Sequence, residues 1–349
     1  MANFYPLTVK QIKSLTPSSV AITFSIPKEY LQTFQFVAGQ YITIKKEIKG
    51  EELRRAYSIS STPKNDTITI GVKKIEGGGF SDYANTKLKE GDVLEVMPPE
   101  GRFVFNTTSS VKNIAAIAAG SGITPIMSIA KSVLDSNVEN TFVLVYGNKS
   151  YKETMFYTDI MKLQLEYANR FFVYFTNSQT KEENSLFGRI DVSTINYAFN
   201  NKHKDLVFDG YYLCGPEAMI NVVSTTLEEN EVAKDKIHFE LFTSTEIKEE
   251  LPLTEEGKAR VTVVVDEEEF SLEMNKSEIV LDAILKENID APYSCQGGVC
   301  SSCICRVTEG KATMVKNQIL TDGEIEEGLI LACQAHPTTP NITLDFDDV

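Results

Sequence analysis

The chain has 349 residues, of which 42% are apolar and 24% charged, and its net charge is −15. That length suits two or three domains with real cores. The negative charge makes nucleic acid a poor partner, and no apolar run reaches the roughly 18 residues that a membrane span needs.

The opening "MANFYPLTVKQI" lacks the basic-then-apolar layout of a secretory signal. A cytoplasmic location is therefore expected. There thiols stay reduced, and clustered cysteines bind metal or do redox chemistry. Residues 1–107 read as short strands: Ser18–Ile26, Gln40–Lys46, Ala56–Ser61, Thr67–Ile75 and Asp92–Pro99, with glycine, asparagine and proline between them. That spacing predicts a small antiparallel barrel.

Within the barrel, "RRAYSISS" places Arg55 and Tyr57 on one face of a strand and Ser58 on the other. An arginine beside an aromatic suits a flavin dinucleotide, pairing a phosphate and stacking on a ring. An exposed surface pair has the same pattern. "GGGFSDYAN" (Gly77–Asn85) follows, a glycine turn leading into a helix with Ser81 near its start. Such a start holds phosphate well; a glycine-rich hairpin reads similarly.

From about Val111 the rhythm changes to strand, helix, strand. "NIAAIAA" is a short buried strand, and "TFVLVYG", "FFVYFTN" and "GYYLCGP" are further strands with helical stretches between them, so residues 108–242 predict an open parallel α/β sheet. "AAGSGITPIMSI" (Ala118–Ile129) places a G-S-G turn, Gly120 to Gly122, at a strand end. Thr124 is the expected N-cap and Pro125 the first helical residue. Ligands of open α/β sheets bind at that end. Burial statistics alone make Cys214 a core residue. In "YGNKS", Asn148 and Ser150 face the same end, and Lys149 and Ser150 suit a 2′-phosphate. No acidic residue follows that strand directly to bind a free 2′-hydroxyl, which favours NADPH over NADH.

Residues 243–257, "TSTEIKEELPLTEEG", are polar and acidic and read as a linker. Residues 258–349 predict a compact α+β domain with a helix over 278–288. From 257 to 349 there are 17 acidic and 7 basic residues, so −10 of the −15 lies here. That is either ordinary solvation or a docking face for a basic partner.

"YSCQGGVCSSCIC" packs four of the six cysteines into eleven residues. Cys295, Cys300 and Cys303 have the spacing C-x4-C-x2-C, and Cys333 stands 30 positions later. Plant-type [2Fe–2S] ferredoxins carry this spacing. Glycine and serine let the backbone approach the sulfurs closely. Structural zinc prefers two close cysteine pairs, and a disulfide set calls for an oxidising compartment. Cys305 falls on the strand after the loop and reads as a core thiol.

The last ninety residues resemble a plant-type ferredoxin, which implies a β-grasp fold. "RAYS" and "GGFS" resemble the FAD domain of the ferredoxin–NADP reductase superfamily. The resemblance implies that Arg55, Ala56, Tyr57, Ser58, Val72, Gly79, Phe80 and Ser81 meet the FAD, with Tyr57 and Ser58 at the isoalloxazine. "AGSGIT" and "LCGPEAMI" resemble its nicotinamide motifs. They imply that Gly120, Gly122, Thr124, Asn148, Ser150, Cys214, Gly215 and Pro216 meet the nucleotide, with Ser58 and Cys214 at the reacting rings. Phe242, in "HFELF", is implied to lie against the flavin, although a core strand reads the same way. The order flavin, nicotinamide, cluster is that of one-piece reductases of bacterial oxygenases. This implies a di-iron oxygenase as electron acceptor. The other readings are the reductase of a ring-hydroxylating or steroid-hydroxylating oxygenase, a redox-sensing electron-transfer protein without a dedicated oxygenase, and a cofactor-binding protein that has lost turnover.

Overall fold

A computed structural model describes residues 3–64, 66–108, 110–242 and 257–349. These form two compact units. One holds Tyr5–Leu53 and Tyr57–Phe242; the other holds the described residues from 257 onward, with residues 3–4 and Arg54–Ala56. Of the segment expected to be a linker, 243–257, residues 243–256 lie outside the described residues.

Six antiparallel strands open the first unit: β1 (Tyr5–Thr16), β2 (Ser19–Ser25), β3 (Tyr41–Ile48), β4 (Glu51–Ser58), β5 (Thr67–Lys73) and β6 (Val93–Val96). Their order is β4-β3-β6-β1-β2-β5. An antiparallel bridge between Ile59 and Ile70 then joins the two ends of the series, closing the sheet on itself. Ile22, Phe24, Ile59, Ile70 and Val72 fill the interior with no exposed surface. Each such side chain contributes roughly 1.5–3 kcal/mol of burial.

β1 has no counterpart in the sequence reading. Of its twelve residues only Leu7, Val9 and Thr16 are buried, and polar side chains hide the alternation. β4 starts five residues earlier than the predicted strand over 56–61 and ends at Ser58; beyond it Ile59 forms an isolated bridge to Ile70.

Helix α1 (Gly79–Thr86) lies between β5 and β6. The second half is a doubly wound sheet of β7 (Asn113–Ala119), β8 (Thr141–Asn148), β9 (Phe171–Asn177), β10 (Leu186–Phe187), β11 (Gly210–Cys214) and β12 (Ile237–Glu240), ordered β10-β9-β8-β7-β11-β12. All its pairings are parallel. The helices are α2 (Ile123–Ser136), α3 (Tyr157–Glu166), α4 (Val192–Ile195) and α5 (Glu217–Glu229). The chain winds one way from β7 to β10 and the other way through β11 and β12. The crevice of such a sheet opens at the carboxyl ends of β7 and β11.

Thr124 is not the N-cap of α2. Gly120–Gly122 already forms a helical turn, so α2 is entered at Ile123 with Gly122 as cap. Thr124 sits inside the first turn, where its Oγ1 donates to the Ser121 carbonyl at 2.9 Å.

The second unit contains β13 (Lys258–Val265), β14 (Glu268–Asn275), α6 (Val280–Lys286), β15 (Ile304–Glu309), β16 (Ala312–Met314), α7 (Asp322–Glu326), β17 (Leu329–Leu331), β18 (Ala335–Pro337) and β19 (Asn341–Asp345). The main sheet is β14-β13-β19-β15-β17, with β13 and β19 parallel. α6 packs over it through Val280, Leu281 and Ile284. This helix is shorter than the predicted 278–288. The Glu278 N–H is held in a turn by the Asn275 carbonyl, and Asn288 adopts a left-handed φ of 59° that ends the run.

Candidate functional site

Four separate strand ends of the first unit meet at one place. Gly122 comes after β7 and sits against the end of β11. A Cβ there would lie 2.0 Å from the Cys214 carbonyl oxygen and 2.9 Å from the Gly215 nitrogen, so only glycine fits. A Cβ on Gly215 would lie 3.2 Å from Ala119 and 2.8 Å from the Met219 side chain. Gly120 has φ 56°, and its carbonyl accepts a hydrogen bond from the fully buried Tyr146 hydroxyl at 3.0 Å. The G-S-G turn is thereby fixed from β7, β8 and β11.

Helix α2 carries that order into the barrel. Its Ser128 Oγ donates to the Ser61 carbonyl at 2.6 Å, and its Lys131 Nζ to the Ser60 carbonyl at 3.0 Å. Both acceptors lie just beyond Tyr57–Ser58, after Ile59. Gly71 of β5 completes the contact: a Cβ there would stand 2.7 Å from Thr124 Cγ2. The strand bearing Tyr57 and Ser58 is thus anchored to the helix that leaves the glycine turn.

At this junction Ser58 Oγ donates to Glu240 Oε2 at 3.2 Å, and both residues are buried. Glu240 pairs in register with Cys214 across β11 and β12. Burial pushes the Glu240 carboxyl up to about 8, with the Ser58 hydrogen bond opposing the shift. Burial also raises the Cys214 thiol, and the neighbouring Glu240 adds to that. Cys214 is therefore a neutral thiol rather than a nucleophilic thiolate. The sequence reading named Ser58 and Cys214 but not Glu240. Its signal was a lone acid closing the apolar strand in "IHFELF".

The remaining residues are spread around this centre. The Tyr57 ring packs on Phe80 of α1 with centroids 5.5 Å apart. Phe80 is buried, and Val72 of β5 has no exposed surface. Gly79 begins α1, where a Cβ would strike Leu53 at 2.4 Å. The Ser81 hydroxyl accepts the Ile75 N–H at 3.2 Å, and Asn85 links the Ser81 and Val72 carbonyls. Ser81 thus folds the turn while the first N–H groups of α1 stay outside the helix ladder. Arg55 and Ala56 lie on β4, where the Arg55 guanidinium donates to the Arg54 carbonyl at 2.7 Å. Phe242 is half-buried against the core of the parallel sheet.

Asn148 ends β8, and its carbonyl accepts the Ser178 N–H. Ser150, Gly215 and Pro216 occupy the same carboxyl end of the sheet, after β8 and β11. Lys73, which sequence reasoning passed over, brings its Nζ within 4.0 Å of the position a Gly120 Cβ would take. Burial lowers its pKa, Glu153 opposes this and Lys149 adds to it. Lys73 thus interacts with both Glu153 and Lys149 beside the glycine turn.

In the second unit the four expected thiols converge. Cys295 lies in hydrogen-bonding contact with Cys300 and Cys333, and Cys333 with Cys303. These contacts push Cys295 below the ordinary thiol range and Cys300 and Cys333 above it. The Gly297 N–H donates to Cys295 Sγ at 3.3 Å. Left-handed φ values at Gln296 (53°) and Gly298 (71°) turn the loop around the sulfurs. The Ala332 N–H donates to the Cys303 carbonyl at 3.0 Å, tying the segment of the fourth cysteine to the loop. Cys300, Cys303 and Cys333 are buried. Among the described residues, no group of three or more His, Cys, Asp and Glu is placed to hold a single metal ion. Four thiols shared between two irons need not meet at one point. The donor set and the inward N–H fit a [2Fe–2S] cluster. Cys305 lies apart on β15, fully buried, its thiol pushed up by burial.

Residues 6–105 match the oxidoreductase FAD-binding domain family, 116–225 the oxidoreductase NAD-binding domain family and 263–338 the 2Fe-2S iron-sulfur cluster binding domain family. The chain is 36% identical over 352 residues to one component protein of the 1,2-phenylacetyl-CoA epoxidase of Escherichia coli K12, covering 99% of both chains. It is 30% identical to the ferredoxin reductase component of 3-ketosteroid-9-alpha-monooxygenase from Rhodococcus rhodochrous, covering 97% of this chain and 96% of that one. The fold matches that of phthalate dioxygenase reductase with a TM-score of 0.62 at 22% identity, covering 99% of this chain and 98% of that one. It also matches part of a type IV self-sufficient cytochrome P450 monooxygenase, with a TM-score of 0.71 at 23% identity. That match covers 98% of this chain and 41% of that one.

Proposed function

The chain belongs to the family of FAD-, NAD- and [2Fe–2S]-binding oxidoreductases that includes this phenylacetyl-CoA epoxidase component and the 3-ketosteroid-9-alpha-monooxygenase reductases, and on that premise we propose that it carries electrons from NADPH to the di-iron oxygenase component of a phenylacetyl-CoA epoxidase. It is an NAD(P)H-dependent oxidoreductase. A nicotinamide gives electrons in pairs as a hydride, a [2Fe–2S] cluster takes them singly, and a flavin does both.

The observation that carries the reading is the anchoring of Ser60 and Ser61, just beyond Tyr57–Ser58, to the helix that leaves the glycine turn, through Ser128 and Lys131. In this proposal Arg55, Ala56, Tyr57, Ser58, Val72, Gly79, Phe80 and Ser81 hold the FAD. Gly120, Gly122, Thr124, Asn148, Ser150, Cys214, Gly215 and Pro216 hold the nucleotide, and Phe242 closes the flavin side. Cys295, Cys300, Cys303 and Cys333 hold the cluster. Ser58 and Cys214 position the reacting rings by packing and hydrogen bonding. The neutral Cys214 thiol would add no charge beside a bound nicotinamide ring. Glu240 holds a proton next to Ser58 at neutral pH. The domains run 1–107, 108–242 and 258–349, and the protein works in the cytoplasm, where its thiols stay reduced.

Lys149 and Ser150, which follow β8 at the carboxyl end of the sheet, favour a nucleotide carrying an extra phosphate. Lys149→Ala should raise KM for NADPH about tenfold and leave KM for NADH unchanged. Equal effects on both would remove the preference. The proposal as a whole is tested by anaerobic NADPH titration followed by visible absorbance and electron paramagnetic resonance, then by turnover with the oxygenase component of a phenylacetyl-CoA epoxidase. Reduction of both centres without electron delivery to that oxygenase would leave a reductase for a different acceptor, the steroid-type system being the next to test.

A further inference from the structure

Three of the four cluster cysteines sit on one loop. The fourth, Cys333, arrives on a single helical turn, Ala332–Gln334, from a separate segment. Something must hold that turn against the loop. The Gln334 side chain is placed to do so. Its Nε2 donates to the Cys333 carbonyl at 2.7 Å and to the Gln296 carbonyl at 3.2 Å. The same Nε2 lies 3.8 Å from Cys333 Sγ, within hydrogen-bond reach of sulfur. Its backbone is fixed too, since the Gln334 carbonyl accepts the Val315 N–H at 2.9 Å.

The loop is shaped to receive this side chain. A Cβ on Gly298 would stand 2.9 Å from Gln334 Cγ and 3.4 Å from Cδ, and Gly298 has φ 71°. The left-handed Gln296, with φ 53°, presents the carbonyl that Gln334 grips. The Cys295 sulfur is served by a backbone N–H, that of Gly297. The Cys333 sulfur faces a side-chain N–H, which a substitution removes without touching the main chain.

We propose that Gln334 is the positioning residue of the cluster cage: one N–H of its carboxamide goes to the Gln296 carbonyl, and the other is shared between the Cys333 carbonyl and the Cys333 sulfur, strapping the Cys333 turn to the loop and raising the cluster's reduction potential. The proposal rests on the reading of the four cysteines as cluster ligands. An N–H aimed at a ligand sulfur stabilises the added negative charge of the reduced state, so its loss moves the potential down. The balance of electrons between flavin and cluster moves with it.

Gln334→Met keeps the chain length and removes the donor. Purified anaerobically, it should retain the iron content of the native protein. Its cluster midpoint should be more negative, and its reduced-state resonance shifted. In an NADPH titration the cluster's share of electrons should fall severalfold. Gln334→Glu, which puts a carboxylate in the same place, should shift the midpoint further in the same direction. A native midpoint and resonance in Gln334→Met would overturn the proposal. If that variant assembles no cluster, the native chain decides: pulsed paramagnetic resonance with ¹⁵N-labelled glutamine side chains should show nitrogen coupling to the reduced cluster. Absence of coupling would overturn it. No iron–sulfur signal in the native protein would instead defeat the underlying ligand assignment.

Discussion

The cysteine cage and the junction around Ser58 and Glu240 are built in opposite ways. In the cage, three donors and the glycine that shapes the loop lie within nine consecutive residues, 295–303. At the junction, Tyr57–Ser58, Gly120–Gly122, Cys214 and Glu240 come from four strands spanning 184 positions. A local site depends on a loop's own conformation. A distributed site depends on strand register and on the anchoring of one element to another, and damage to either should therefore show differently.

The largest expected effect lies in the cage. Cys300→Ser should abolish the cluster's visible absorption and its reduced-state resonance while leaving flavin reduction by NADPH intact. An unchanged cluster spectrum would mean that the ligands are others. Gly122→Ala should come next, and should act at a distance from any one motif. Its Cβ would stand 2.0 Å from the Cys214 carbonyl, so the turn must shift. We expect ~1–3 kcal/mol of destabilisation and slower flavin reduction, with the cluster spectrum preserved. Wild-type melting and reduction rates would show that the turn tolerates the shift.

Glu240→Gln gives a smaller effect with a distinctive pH signature. The folded-state value of Glu240, about 8, lies above its ordinary 4.5. Between those values the folded chain keeps a proton that the unfolded chain releases, so stability falls as pH rises from 4.5 towards 8. Glutamine has no such slope. The variant's melting temperature should gain on the native one across that window by a few degrees, on the order expected for about 1–2 kcal/mol. A constant difference across pH would show that Glu240 is ionised throughout. The smallest effect concerns the acidic unit. With −10 of the net charge between 257 and 349, added salt should slow electron delivery to a basic acceptor face by a few-fold. Salt-independent delivery would rule out electrostatic docking there.

Much of the cage was legible because its chemistry is written in spacing. Cys295, Cys300, Cys303 and Cys333 were read as one set, and the thiols do converge. Cys305, read as core, is fully buried on β15. Strands β7 and β8 were equally plain, because strands buried on both faces leave continuous apolar runs. β1 was not, since nine of its twelve residues keep some solvent exposure. The entry to α2 was placed too late, since a glycine turn with helical hydrogen bonds carries no side-chain signal.

What the sequence alone determined is the inventory: three nucleotide- and iron-binding modules in a fixed order, with their glycine turns and thiols. Tertiary structure alone decided which groups meet. Glu240 reaches Ser58 across 182 positions and shares its register with Cys214. Lys73 comes beside Gly120, and Gln334 grips the carbonyl of Gln296. A pattern within one segment reports local conformation. The charge state of a buried acid, or the donor aimed at a sulfur, depends on what distant segments bring to it, and only the packed chain specifies that.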